Sequence, residues 1–435
     1  MPRLTALRAL APLRLRGFRL LTIGQVTSNV GDACYAVALP WYVLAAHGGV
    51  LLLGTVLAAY GVPRTALIAV GGYASDRWRP QTVMMATDAV RALALAALAV
   101  TAATGPARAV VLVPIAVVIG AGEGLFLPGS FSIIPSLLSG DDLQAGNALA
   151  SSGTQLATLA GPAIGGALVI LAGPSLAFGL DALSFVVSAA TLATLAGPAD
   201  RGVRRASSAA PGAPAETEAA PVPTLRAMLR SERVLQIVVL VNIAANLGMG
   251  GMSEVALPAL AHGPLHAGAS GYGAVLAAFG GGALLGTIAA GQVGRLRRPV
   301  IVGSLAFLAE AACIAVAPYL GATFAVAAAM AGTGVLNGFG NVLTITAFQR
   351  WAPSQALGRL AGLLTLTSFG VFPISVALAA VVVRHWGPSP FFLLAAVTTA
   401  VAILAGLSQR AWREFGANHP ATTPEPAHHL EGQPA

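Results

Sequence analysis

The stretch AAYGVPRTALIAVGGYASDRWRP, residues 58–80, aligns without a gap on AAFGGGALLGTIAAGQVGRLRRP, residues 277–299. Each is an apolar run of small residues that ends in a basic turn and a proline. Two more pairs follow in the same order. AVALP (36–40) matches EVALP (254–258), and GAGEG (120–124) matches the stretch from Gly334 that sets Asn337 opposite Glu123. The offsets are 219, 218 and 214. A single apolar pair arises by chance; three in one order at nearly one offset point to a duplicated unit.

Composition says what medium that unit occupies. Of 435 residues, 56% are hydrophobic and only 9% charged, and mean hydropathy is +0.78. A soluble domain carries about 25% charge. This chain has too little polar surface for water and reads as a polytopic membrane protein. All basic residues are arginine, so the net charge of +8 reflects base composition and topology rather than nucleic-acid binding. Cys34 and Cys313 are too few for a disulfide framework and lack metal spacing. The first apolar run is too long for a cleavable signal peptide.

A helix needs about 20 mostly apolar residues to cross the hydrocarbon. Glycine, proline and arginine clusters divide the chain into twelve such runs, the first near 18–46 and the last near 388–407, with a break near 171–175. The predicted fold is all-α and integral to the membrane, two pseudo-symmetric six-helix bundles. The bundles cover 1–196 and 233–407, joined by a disordered cytoplasmic linker, 197–232, and followed by a disordered cytoplasmic tail, 408–435. The linker contains SSAAPGAPAETEAAPVP, too poor in large apolar residues to form a core. With both termini inside, 20 of the 24 arginines are cytoplasmic. Arg108 and Arg384 lie outside, and Arg64 and Arg91 lie within spans. That asymmetry predicts the orientation in a cell membrane. Paired six-helix bundles are a secondary-transporter layout, with a substrate site between the halves.

On these features the chain resembles the major facilitator superfamily across all twelve predicted spans. Gly72, Asp76, Arg77 and Arg79 are similar to its signature loop between helices 2 and 3; Pro80 stands where a second basic residue is common. GPAIGG (Gly161, Pro162, Gly165, Gly166) resembles the antiporter motif of drug exporters in helix 5, although Ala148 and Ala157 stand where glycines usually precede it. FRLLTIGQVTSNVGDACYAVALPWYVL, LPGSFSIIPSLL and FGLDALSFVVSA resemble the branch that holds macrolide-efflux and enterobactin-exporter proteins. The arginine-containing helix 4 motif of many drug–proton antiporters is absent. The resemblance implies that the loop is a cytoplasmic latch, with Asp76 against the N-terminal end of helix 11, Arg77 and Arg79 on acids or lipid headgroups, and Gly71 and Gly72 permitting close approach. Arg295 is the repeat counterpart of Asp76. A plain positive-inside anchor would not need the aspartate.

Ionisable groups within spans are costly and mark function. Asp32, about 21 Å into helix 1 at 1.5 Å per residue, and Glu254 in helix 7 are the leading proton-coupling candidates, with Glu123 and Glu310 behind them. Each is also readable as a hydrogen-bonded structural acid. Asn29, Asp32, Arg64, Glu123, Glu254 and Asn337 are the substrate-cavity candidates, since the resemblance places their helices around the cavity. Asp88 and Arg91 share a face of helix 3 and are expected to pair with each other or with the latch. Asp181 is expected to cap helix 6 near the outside. Arg64 has no evident local partner.

No nucleotide-binding loop, nucleophile–base motif or metal cluster appears. The reading is a transporter without cofactor, powered by a proton gradient. Its partners are a small-molecule substrate, protons and membrane lipid, with no nucleic acid and a monomeric state expected. It exports a lipophilic or cationic molecule. The alternatives are an exporter of an anionic metabolite or siderophore, with Arg64 holding the anion, and a non-transporting scaffold or sensor.

Overall fold

The computed structural model describes residues 11–138, 140–195, 225–293, 296–352 and 357–415. The expected linker at 197–224, the tail at 416–435 and Arg295 lie outside the described residues. Those residues are all-helical, with no strand. The long helices are α1 (Arg16–Ala45), α2 (Gly49–Arg77), α3 (Pro80–Thr104), α4 (Ala109–Leu137), α5 (140–171), α6 (174–195), α7 (Arg233–His262), α8 (Gly268–Gln292), α9 (Pro299–Val316), α10 (Thr323–Trp351), α11 (Leu357–Trp386) and α12 (Ser389–Ser408).

Helices α5 and α6 form one run, Gly140–Leu195, broken at Ala172 and Gly173. Gly173 has φ +77°, a backbone region that glycine enters without a Cβ penalty. Pro174 follows, where a missing N–H costs nothing at a helix start. Ten of the helices, α5–α6 counted as one, are long and apolar enough to cross a membrane. Large apolar side chains point outward, among them Phe324 and Leu171, which are 80% and 79% exposed. Lipid is the medium that accepts such a surface.

Lipid gives no hydrophobic drive for helix association, so the helices meet through small residues. The repeat is visible in these contacts. A Cβ on Gly120 or Gly124 of α4 would collide with the Tyr60 or Arg64 carbonyl of α2. In the second half, one on Gly334 or Gly338 of α10 would collide with the Phe279 or Ala283 carbonyl of α8. These are the equivalent positions under the sequence offsets.

The core shows how the halves meet. One buried apolar cluster spans both halves at the end of the bundle away from the chain's described ends. It includes Val37, Tyr42, Leu53, Leu257, Tyr272 and Val376. At the arginine-rich end there are two separate clusters. Phe18, Met84 and Ile133 belong to the first half; Leu235, Phe348 and Trp412 belong to the second. The seam follows suit. Helix α2 meets α11 where Gly61 faces Phe372 and Pro373, and the Thr65 hydroxyl donates to the Phe369 carbonyl at 2.9 Å. Helix α5 meets α8 where Gly166 faces the Ala269 carbonyl and Gly280 faces the Thr158 carbonyl. Pro162 has no N–H to offer Thr158 four residues back, and the bare Gly280 lets the other half approach there. Among the described residues, one apolar cluster joins the halves at the far end, and each half has its own cluster at the arginine-rich end.

Two boundaries differ from expectation. Leu225–Ser231 is a short helix rather than linker. Met228 is buried, and the Gln236 amide donates to the Leu229 carbonyl at 2.8 Å. Likewise Arg410–Glu414 is helical rather than disordered tail. Trp412 is buried and its indole N–H donates to the Ser304 hydroxyl at 3.0 Å. In the first case Met228 anchors a polar segment, and in the second Trp412 does so with Phe415 stacked on it.

Candidate functional site

Helices α1 to α4 bring two ion pairs into the first half. Arg91 Nη2 on α3 lies 3.0 Å from Asp32 Oδ1 on α1, and Arg64 Nη2 on α2 lies 2.7 Å from Glu123 Oε1 on α4. The Tyr60 hydroxyl donates to the other oxygen of Glu123. Aromatic rings cover both guanidinium groups. Arg91 sits 3.9 Å above the Phe185 ring, and Arg64 sits 3.9 Å above the Phe369 ring of α11. Rings at that distance attract a cation through their quadrupole. Arg64 therefore ties an acid of its own half to an aromatic side chain of the other, beside the Thr65 hydrogen bond.

The expected Asp88–Arg91 pair does not form. Asp88 is fully buried and accepts from the Ser188 hydroxyl at 2.6 Å, while Arg91 reaches across to Asp32. A buried arginine is satisfied by whichever carboxylate its long stem can reach, and that partner is 59 residues away. Arg91 thus belongs to the central network and not to the gate motif. Asp181 is not a cap at the end of α6. It is 1% exposed, lies against Gly31 of α1, and receives the Ser184 hydroxyl at 3.3 Å. The bare Gly31 makes room for it, next to Asp32.

The second half is built differently. Pro258 offers no N–H to the Glu254 carbonyl, and α7 widens into a π-turn over Met252–Ala256. Such turns recur at functional sites. Glu254 sits on this turn and makes no side-chain hydrogen bond or ion pair among the described residues. Glu310 on α9 is 3% exposed and accepts from Asn337 Nδ2 on α10 at 2.9 Å. Asn29 is turned to α5, where it donates to the Thr154 hydroxyl at 3.1 Å.

The loop motif stands apart. Asp76, Arg77 and Arg79 are exposed at the arginine-rich end and form no ion pair among the described residues. Gly71 packs against the Gly124 carbonyl and Leu125. Gly72, expected to do the same, has nothing within 4 Å of where a Cβ would stand, because it faces away from α4. In GPAIGG, Gly161 and Gly165 face Ala33 and Cys34 of α1, whereas Gly166 faces α8. No group of three or more His, Cys, Asp or Glu positioned to hold a metal occurs among the described residues.

Sequence reasoning missed Phe369 and the Ser188 partner, and it read Asp181 as a cap. Tyr60 was legible, since it stands one turn before Arg64 on the same helix face. Phe369 was not, since only the fold brings it to Arg64.

Two duplicated helical bundles, the first holding two ion pairs among its helices, agree with the sequence comparison. Residues 7–408 match a family described as transmembrane secretion effector. The chain belongs to that family of major facilitator transporters. It is a multi-pass membrane protein of a transporter family. The multidrug efflux pump Tap of Mycolicibacterium fortuitum is 27% identical over 194 residues, 42% of this chain and 47% of that pump. The match thus spans about half of the relative's length. Solved structures with the same fold include a POT family transporter in complex with a thioalcohol-conjugated peptide (TM-score 0.68, 13% identity, 90% and 96% of the two chains covered). A bacterial homologue of the iron transporter ferroportin in an inward-facing state is another (TM-score 0.66, 16% identity, 93% and 99% covered).

Proposed function

We propose that this transmembrane secretion effector is a secondary active exporter of lipophilic or cationic small molecules, driven by proton antiport. In this reading twelve helices cross the cytoplasmic membrane as two bundles, and both termini and the arginine-rich end are cytoplasmic. The observation that carries it is the seam. Among the described residues the halves join through glycines toward the end away from the arginines, and the Asp32 side chain is 45% exposed while its partner Arg91 is 5% exposed. An alternating-access transporter needs one end that parts and charged groups that the parting uncovers.

The geometry supports a mechanism. With the cytoplasmic end open, Asp32 is accessible and held by Arg91. A proton on Asp32 removes the charge that Arg91 holds, and an arriving cation competes for the same carboxylate. Either event weakens the α1–α3 pair. Six acids and two arginines stand at membrane depth among the described residues, which favours a cationic or neutral cargo. The anion-exporter alternative is weakened because Arg64 is already taken by Glu123 and Phe369. The multidrug relative supports efflux.

The test is uptake of a fluorescent lipophilic cation into inside-out vesicles. The expected result is accumulation that an acid-interior gradient drives and an uncoupler abolishes. Equal uptake with and without the gradient would remove proton coupling, and no uptake of any cation tried would return the anion reading.

A further inference from the structure

The second half encloses a cavity of about 550 Å³ between α7, α9, α10, α11 and α12, which lies within the range of a drug-sized pocket. It is separate from the ion pairs of the first half. Its one acid is Glu310, and no arginine or histidine lines it. Glu310 differs in this from Asp32 and Glu123, each of which has an arginine. Burying a carboxylate with no counter-charge is expensive, and a ligand that supplies the charge relieves that cost.

The hydrogen bonds around the cavity point the same way. Asn341 Nδ2 donates to Asn337 Oδ1 at 3.0 Å, and Asn337 Nδ2 donates to Glu310 Oε1 at 2.9 Å. Asn246 Nδ2 donates to the Asn242 carbonyl at 2.8 Å. The amide donors are thus used within the wall. Glu310 Oε2, Asn246 Oδ1 and Asn341 Oδ1 meet no donor among the described residues. The carboxylate and amide part of the lining thus offers acceptors, beside hydroxyls such as Thr344 that can donate or accept. The rest is aromatic and apolar, with Phe307, Phe348, Phe369 and Trp412 in the wall, and such faces favour a cation. Phe369 is also the ring on which Arg64 sits, so an occupant of this cavity touches a side chain of the seam.

We propose that this cavity binds a lipophilic organic cation, with Glu310 as its counter-charge and the Asn246 and Asn341 oxygens as acceptors. This rests on the exporter reading for its role in transport, but binding is measured without it. The probes are tetraphenylphosphonium and tetraphenylborate, which share a shape and differ in sign. Equilibrium binding to the purified full-length protein in detergent should show the phosphonium bound and the borate not. Glu310→Gln should weaken the phosphonium by about tenfold or more, the order expected for losing one partner of a buried charge contact. Ala245→Trp, which fills the cavity and keeps Glu310, should weaken it as well, with an unchanged elution profile as the check on folding. The site is overturned if wild type binds no phosphonium, if it binds both ions equally, or if both variants bind within about twofold of wild type, as they would were Glu310 only a proton carrier. Vesicle uptake separates the two readings. Uptake that ignores Glu310 sinks this site and leaves the exporter; Glu310-dependent binding without uptake does the reverse.

Discussion

Asp32 and Arg91 form one ion pair with unequal exposure, since Asp32 is 45% exposed and Arg91 is 5% exposed. Removing the aspartate charge leaves a buried guanidinium with a ring and no carboxylate. Breaking a fully buried pair costs about 3–5 kcal/mol, and the exposure of Asp32 puts this case below that range. Asp32→Asn should therefore fold, yet lose uphill efflux while downhill exchange persists. Glu254→Gln should do the same without loss of stability, because Glu254 has no partner to strand. If both variants keep full proton-coupled transport, coupling moves to Glu123. The candidate acids were legible because charge at membrane depth stands out in an apolar run. Their partners were not, since Arg64 and Glu123 lie on different helices and nothing local marks the pairing. Asp88 shows the hazard, as the near neighbour Arg91 turned to a more distant acid.

Among the helices, α5 carries two kinds of contact on adjacent glycines. Gly165 faces the Cys34 backbone of α1 in its own half, and Gly166 faces Ala269 of α8 across the seam. A larger side chain at 165 strains one bundle, at about 1–3 kcal/mol for overpacking. At 166 it pushes the bundles apart and leaves each one packed. Gly166→Leu should thus raise passive proton flux in proteoliposomes with little change in melting temperature, and Gly165→Leu should lower the melting temperature. Equal effects of the two on flux and melting would make this segment simple packing. Much at this scale was readable. The break near 171–175 falls at Gly173–Pro174. The helices at Leu225–Ser231 and Arg410–Glu414 were not readable, because each depends on one or two buried side chains beside a polar stretch, Met228 in one and Trp412 with Phe415 in the other.

For the whole molecule, the duplicated sequence foretold two bundles with the same internal contacts, and Tyr60–Gly120 and Phe279–Gly334 show them. It did not foretell which end of the seam is closed, since that depends on the balance between two states of one chain. The loop of Asp76, Arg77 and Arg79 is exposed and forms no ion pair among the described residues. The central claim is that the halves rock about the glycine seam. Spin labels test it directly, with Cys34 and Cys313 replaced by serine and cysteines placed in pairs. One pair, Tyr73→Cys with Leu366→Cys, spans the open end; the other, Leu51→Cys with Arg384→Cys, spans the closed end. Across a pH series in nanodiscs, the first distance should shorten as the second lengthens, and Asp76→Asn should shift both toward the structure described. Distances that stay fixed under every condition, or that rise and fall together, would contradict the account.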